Sequence, residues 1–347
     1  MNITFLIGNG FDLNLGIETR YNQFYEYVKI EESNNELVKS IKDNYELWAD
    51  LELGLGDYLR NVNTNDEIEQ FLSNKENIEK HLIDYLKIEN DRFDIIDEKK
   101  LGESFRKGVI NFYKTFSEEE LQRYQNHTNN YAAIHYRFIN FNYTDTLDRI
   151  ISVTKKTCNP FSTHTYHGST YTNSVFDPLH IHGTLYDESM ILALNDVSQI
   201  QNENLRKNTK FTRFMLKTNL NDRLGNFKNR EAQEIIDNSI YICVFGMSIG
   251  DTDNIWWQKI VAWLSKNPDR RVVLFVKDDT IVSGSATANL RYNIKKSEEF
   301  LQHDTKLNNE EYEKLASRFI IVKNSDIFNL EGYSVKEKNK QDKEENG

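Results

Sequence analysis

Four short stretches of the chain carry residue types that could do chemistry, and each follows an apolar run. FLIGNGFD (residues 5–12) places Gly8, Asn9, Gly10, Phe11 and Asp12 directly behind a hydrophobic segment. FNYTD (141–145) supplies Asn142, Tyr143 and Asp145. The third stretch ends in His182 and Gly183, and the fourth, FGMSIGDTD (245–253), holds Gly246, Ser248, Gly250, Asp251 and Asp253. Glycines one residue apart permit a tight turn, and they also let a backbone approach a phosphate closely. An amide, an imidazole and carboxylates can orient a water, take its proton and stabilise a developing positive charge. Ligands of open parallel sheets lie outside the carboxyl ends of the strands, so four such endings predict one shared crevice.

Each stretch also has a purely structural reading. Gly8 and Gly10 fit a strand-to-helix turn, and the third glycine of the dinucleotide fingerprint is missing. Asp12 fits a helix cap, Asn142 a turn, and His182 a hydrogen-bonded core histidine. Ser248 and Asp251 fit the N-terminal region of a helix that begins near NIWW. HTYHG (164–168) spaces His164 and His167 three apart, but no cysteine or carboxylate stands at ligand spacing, and no metal is expected there.

The elements that must position these residues follow from the apolar pattern. Strands are predicted at 2–7, 136–142, 178–183, 189–194, 239–246 and 271–276, with an edge strand at 318–322. Helical periodicity marks Tyr21, Phe24, Tyr25 and Val28, then Ile68, Phe71, Leu72, Ile78, Leu82 and Leu86. A further helix carries Trp256, Trp257, Ile260 and Leu264. Short buried strands alternating with helices predict an α/β protein with a doubly wound, mostly parallel sheet. Its core spans 1–18 and 132–330, and 19–131 is too long for a simple crossover and reads as a helical insertion. The polar stretch 331–347 reads as a disordered tail.

At 347 residues the chain can bury a substantial core. Its net charge of −11, from 54 acidic and 43 basic residues, disfavours broad nucleic-acid binding. No run approaches the ~18 apolar residues of a membrane helix, there is no basic segment ahead of the first apolar run, and the two cysteines are far apart. A cytoplasmic protein is expected. KNTKFTRFMLK (207–217) is a modest basic patch, although the spacing of Phe211, Phe214 and Met215 fits one buried helix face.

IGNGFDLNLGIETRYNQFYEY, WADLELGLGDYL, INFNYTDTLD, LHIHGTL and VFGMSIGDTDNIWW resemble the AbiH family of bacterial abortive-infection proteins, over residues 2–276. The order GNG, NY, HG, GMS is more remotely similar to sirtuin-like NAD-binding folds. That resemblance implies that Gly8, Asn9, Gly10 and Phe11 receive the NAD pyrophosphate. LGIET (15–19) is similar to the Gly-Ile-Pro stretch that follows, with Glu18 where the proline would be. It implies that Asn142 orients the nicotinamide ribose or a water, that His182 is a general base with a pKa near ~6.5, and that Gly246 and Ser248 hold the adenosine ribose. Asp12, Asp145 and Asp251 are the carboxylates best placed to assist. A sirtuin zinc module needs four cysteines and the chain has two, so neither zinc nor protein deacetylation is expected. The implied activity is an antiphage effector that hydrolyses NAD at the nicotinamide–ribose bond. A phage-derived trigger, or a second copy of the chain, would engage the helical insertion. The alternatives are a non-catalytic NAD or ADP-ribose sensor and a nuclease-type effector.

Overall fold

The computed structural model describes residues 1–31, 34–187, 189–223, 227–278, 285–303 and 307–338. Its strands, in chain order, are β1 (Asn2–Ile7), β2 (Phe93–Ile95), β3 (His135–Asn140), β4 (Ser162–Tyr166), β5 (Ser169–Val175), β6 (Leu179–His180), β7 (Ser239–Phe245), β8 (Arg271–Val276), β9 (Phe319–Lys323) and β10 (Tyr333–Val335). The main sheet runs β4-β5-β3-β1-β7-β8-β9, with β6 alongside β3. Every pairing in it is parallel except β4 with β5. The fold is therefore α/β with a mixed, mostly parallel sheet. Its order turns in opposite directions on the two sides of β1, toward β3 on one and β7 on the other.

β1 alternates its side chains between two cores, as a strand must. Ile3, Phe5 and Ile7 meet Leu101, Phe105, Ile150 and Ile151 from the Glu98–Ile110 and Thr146–Thr157 helices. Leu6 points to the opposite core, with Ile235, Trp257, Trp263 and Phe300 from helices Lys228–Asp237, Asn254–Ser265 and Ala286–Leu301. Burial on both faces explains why β1, β7 and β8 read as continuous apolar runs. A third core holds no sheet strand. It joins Phe24, Trp48, Leu55, Ile78 and Leu82 to Leu192, Leu194, Phe211 and Met215. Of residues 19–131, then, those up to Leu86 build this helical layer, whereas Leu101 to Tyr124 lie on the sheet. No helix among the described residues is long and apolar enough to cross a membrane.

Several expectations need correction. Residues 189–194 form no strand; Leu194 makes one isolated bridge to Leu216, and Leu192 and Leu194 are buried against helices. Their apolarity reflects that packing. The strand expected over 178–183 shrinks to Leu179–His180. HTYHG runs from the end of β4 into the turn of the β4–β5 hairpin, with His167 and Gly168 at φ 48° and 80°, and the His164 ring is bonded to Asn173 Oδ1 and the Tyr131 carbonyl. Phe214 is exposed while Phe211 and Met215 are buried. The tail expected to be disordered from 331 begins with β10, which pairs antiparallel with β2 and stacks Tyr333 on Phe93. Residues 339–347 lie outside the described residues.

Candidate active site

The register of the sheet brings three strand ends to one level. Ile7 stands opposite Asn140 on β3 and Phe245 on β7. The residues that follow are laced together: Gly8 N donates to the Phe245 carbonyl (3.0 Å), Gly10 N to the Gly246 carbonyl (2.7 Å) and Phe141 N to the Ile7 carbonyl (2.9 Å). A Cβ on Gly10 would lie 2.5 Å from Gly246 Cα, and one on Gly8 would lie 2.7 Å from the Gly246 carbonyl oxygen. Gly246 itself sits at φ 71°, where side chains are disfavoured. The glycines are thus required for two loops to touch. The Gly8 and Gly10 amides are both donated within that contact, so a ligand at this loop would meet its backbone surface rather than those two N–H groups.

A cavity of about 180 Å³ opens beside that junction. Gly8, Asn9, Asp12, Asn142, His182, Gly246 and Ser248, all expected at a site, line it. Gly10, Phe11, Asp145 and Asp251 do not. Phe11 is fully buried behind the loop, edge-on to Phe328. Asp145 accepts from Asn90 Nδ2 at 2.8 Å, outside the cavity. Asp251 is exposed, and its carbonyl accepts from Gln199.

Asp12 lies on the first turn of the short Gly10–Asn14 helix. It is 1% exposed; Oδ2 accepts from the Thr144 hydroxyl (2.6 Å), whereas Oδ1 has no hydrogen-bond partner. Burial pushes its carboxyl up to about 7, against the opposing Thr144 hydrogen bond. Asn142 donates through Nδ2 to the Gly8 carbonyl (3.2 Å), which ties β3 to the β1 loop. Its own carbonyl meets His180 Nδ1 at 2.9 Å, and His180 Nε2 lies 2.8 Å from Asp148. Asn9 ties the loop to the opposite wall by donating to the Thr19 carbonyl and accepting from the Thr19 hydroxyl.

His182 is held between the rings of Phe141 and Tyr143. Burial and the neighbouring Lys217 ammonium depress it to about 4, well below the value that suits a base at neutral pH. Its Nε2 is 3.5 Å from Lys217 Nζ and 3.9 Å from Asp253 Oδ1. Lys217 in turn is paired with Glu52, at 2.7 Å and 2.9 Å from the two carboxylate oxygens. Burial lifts Glu52 to about 7, partly offset by that lysine.

This second wall comes from the helical layer, and spacing alone gave no reason to assign it. Tyr21, Asp50, Glu52 and Lys217 all line the cavity. Asp50 caps the Leu51–Tyr58 helix by accepting from Glu52 N and Leu53 N, and it accepts the Thr252 hydroxyl from the β7 loop. The available signals were three acids, Asp50, Glu52 and Asp57, inside the apolar WADLELGLGDYL and a lysine following buried Met215 and Leu216. Among the described residues, no group of three or more His, Cys, Asp or Glu side chains is placed to hold a metal ion.

Comparison with known proteins gives one result. Residues 4–275 match the family described as Bacteriophage abortive infection AbiH. The chain has no match among curated proteins or among solved structures. The match covers well over half of the 347 residues and includes every residue that lines the cavity. The chain belongs to the AbiH family, the bacteriophage abortive-infection proteins.

Proposed function

We propose that this AbiH chain acts in phage abortive infection by hydrolysing the nicotinamide–ribose bond of NAD. The observation that carries the reading is Asp12, a buried carboxyl that lines the cavity, keeps one oxygen unpartnered and is tuned to about 7. Cleaving this bond in oxidised NAD needs no acid, because nicotinamide departs neutral as positive charge passes to the ribose. What it needs is a stabiliser for that charge and a base for the attacking water. Asp12 supplies both: the water oxygen bonds to C1′, the C1′–N bond breaks, and the water proton passes to Asp12. The products are ADP-ribose, nicotinamide and a proton.

The carboxylates of Asp50 and Asp253, with the Tyr21 and Tyr143 rings, take the cationic pyridinium end. The bare Gly8–Gly246 surface takes the sugar-phosphate end at the point where strand order turns, as in doubly wound and sirtuin-like nucleotide folds. Asn142, fixed by Gly8 and His180, orients the nicotinamide ribose. Such an activity in the cytoplasm must be silent until infection. The helical layer is the surface for a phage-derived trigger or a second copy of the chain.

Calorimetric titration of the purified protein with NAD and with ADP-ribose, followed by analysis of the recovered nucleotide, tests the reading. Conversion of bound NAD to ADP-ribose supports the hydrolase. Binding with NAD recovered intact, with and without lysate from infected cells, leaves a sensor instead.

A further inference from the structure

We infer that the Lys217–Glu52 pair fixes His182 in the tautomer protonated on Nδ1, which makes His182 a hydrogen-bond donor to a ribose hydroxyl oxygen of the ligand and not the base of the reaction. The ligand class rests on the proposed nucleotide chemistry; the tautomer does not.

An ammonium has three N–H bonds and no lone pair. Lys217 Nζ lies 2.7 Å and 2.9 Å from the Glu52 oxygens and 3.5 Å from His182 Nε2. With two N–H bonds on Glu52, the third is available to Nε2, and toward an ammonium that nitrogen can only accept. The proton of a neutral imidazole must then sit on Nδ1. The pair cannot swing away to relax this demand. Lys217 and Glu52 side chains are 4% and 5% exposed, and the Lys217 backbone is held by its N–H to the Leu194 carbonyl (2.8 Å).

His182 Nδ1 is itself buried with no partner in the protein. The neighbouring His180, by contrast, has both ring nitrogens engaged. His182 lines the cavity, and an unpartnered buried donor there is completed when a ligand brings an acceptor against it. The competing group is Asp253, whose Oδ1 opposes Lys217 by favouring a proton on Nε2; at 3.9 Å it is the more distant of the two and past ordinary hydrogen-bond length. Phe141 and Tyr143 pack on the ring and present no charge to it. The depressed basicity of His182 agrees with a neutral donor. Lys217 and Glu52 are positioning residues in this scheme, since they act through His182.

Long-range proton–nitrogen correlation spectra of the full chain at pH 7 read the tautomer directly, with His182 assigned by its disappearance in His182→Gln. The expected spectrum shows Nδ1 protonated and Nε2 bare. In a Lys217→Met, Glu52→Leu double variant, which leaves neither charge buried alone, the proton moves to Nε2 and faces Asp253. A wild-type spectrum with the proton on Nε2, or on both nitrogens, overturns the inference whether or not the double variant folds. An unchanged tautomer in a folded double variant overturns the role of Lys217. Neither result bears on NAD turnover, so failure here and failure of the hydrolase reading are separately visible.

Discussion

The two walls of the cavity are built on opposite principles. At the sheet end, Gly8, Gly10 and Gly246 bring backbone against backbone, and Asn142 seals the junction through a single amide. Charge is sparse there, and Asp12 is its one carboxyl on the β1 side. The helical wall also has a close backbone approach, at Gly56, where a Cβ would meet the Gln199 carbonyl oxygen. What it presents to the cavity, however, is the charge of Asp50, Glu52 and Lys217, two of them in a buried ion pair. The cavity-lining face of one wall depends on sterics and that of the other on electrostatics, so substitutions there should fail for different reasons on each side.

The largest effect is expected on the helical wall. Lys217→Met strips the partner from buried Glu52 and should destabilise the fold by about 3–5 kcal/mol, whereas replacing both residues with apolar side chains should be near neutral. Urea denaturation of the single and double variants checks this. Equal losses in the two would mean that the pair acts by packing rather than charge.

Asp12 makes the sheet wall pH-dependent. Its folded-state pKa is raised from 3.8 to about 7, so the native state holds the proton longer than the unfolded chain does. Stability from this group therefore falls as pH rises from about 4 to about 7 and is flat above. Asp12→Asn removes that slope, and its stability relative to wild type should improve by roughly 2–3 kcal/mol between pH 5 and pH 7. Glu52 has the same sign and His182 the opposite one, but both remain in the variant and cancel in the difference. A pH-independent difference would show that Asp12 is not held protonated in the folded chain.

Steric failure is expected at Gly10→Ala, whose Cβ would fall 2.5 Å from Gly246 Cα. Separating the two loops should cost about 1–3 kcal/mol at every pH, measurable as a uniform drop in Tm. The smallest effect lies away from both walls. Lys338 bridges Glu18 and Glu89 from a half-exposed position, and Lys338→Ala should change stability by no more than about 1 kcal/mol, an effect that shrinks in salt.

The contrast between the walls also explains what the sequence made legible. β1, β7 and β8 stand out because strands buried on both faces are continuous apolar runs, and the glycines after them announce the turn. Asn142, His182 and Asp12 follow such runs directly. Glu52 and Lys217 are 165 residues apart in the chain, and no periodicity relates an acid on one helix to a lysine opening another. Lys217 was visible only as the end of a basic stretch. The β4–β5 hairpin escaped notice because its strands are polar and largely exposed. Residues 189–194 misled in the other direction, since apolar composition reports burial and not hydrogen-bond pattern. The basicity of His182 could not be read from its residue type either. It depends on the lysine that the fold brings beside it.

The most direct measurement is a timed assay of NAD consumption by the full chain, with and without lysate from infected cells, comparing wild type with Asp12→Asn and Asn142→Ala. Release of nicotinamide by the wild type, reduced by about 10²–10⁴-fold in Asp12→Asn with the protein still folded, is the expected result. Undiminished turnover in Asp12→Asn would remove Asp12 from the chemistry, and intact NAD in every sample despite binding would leave the cavity a nucleotide-binding site without hydrolysis.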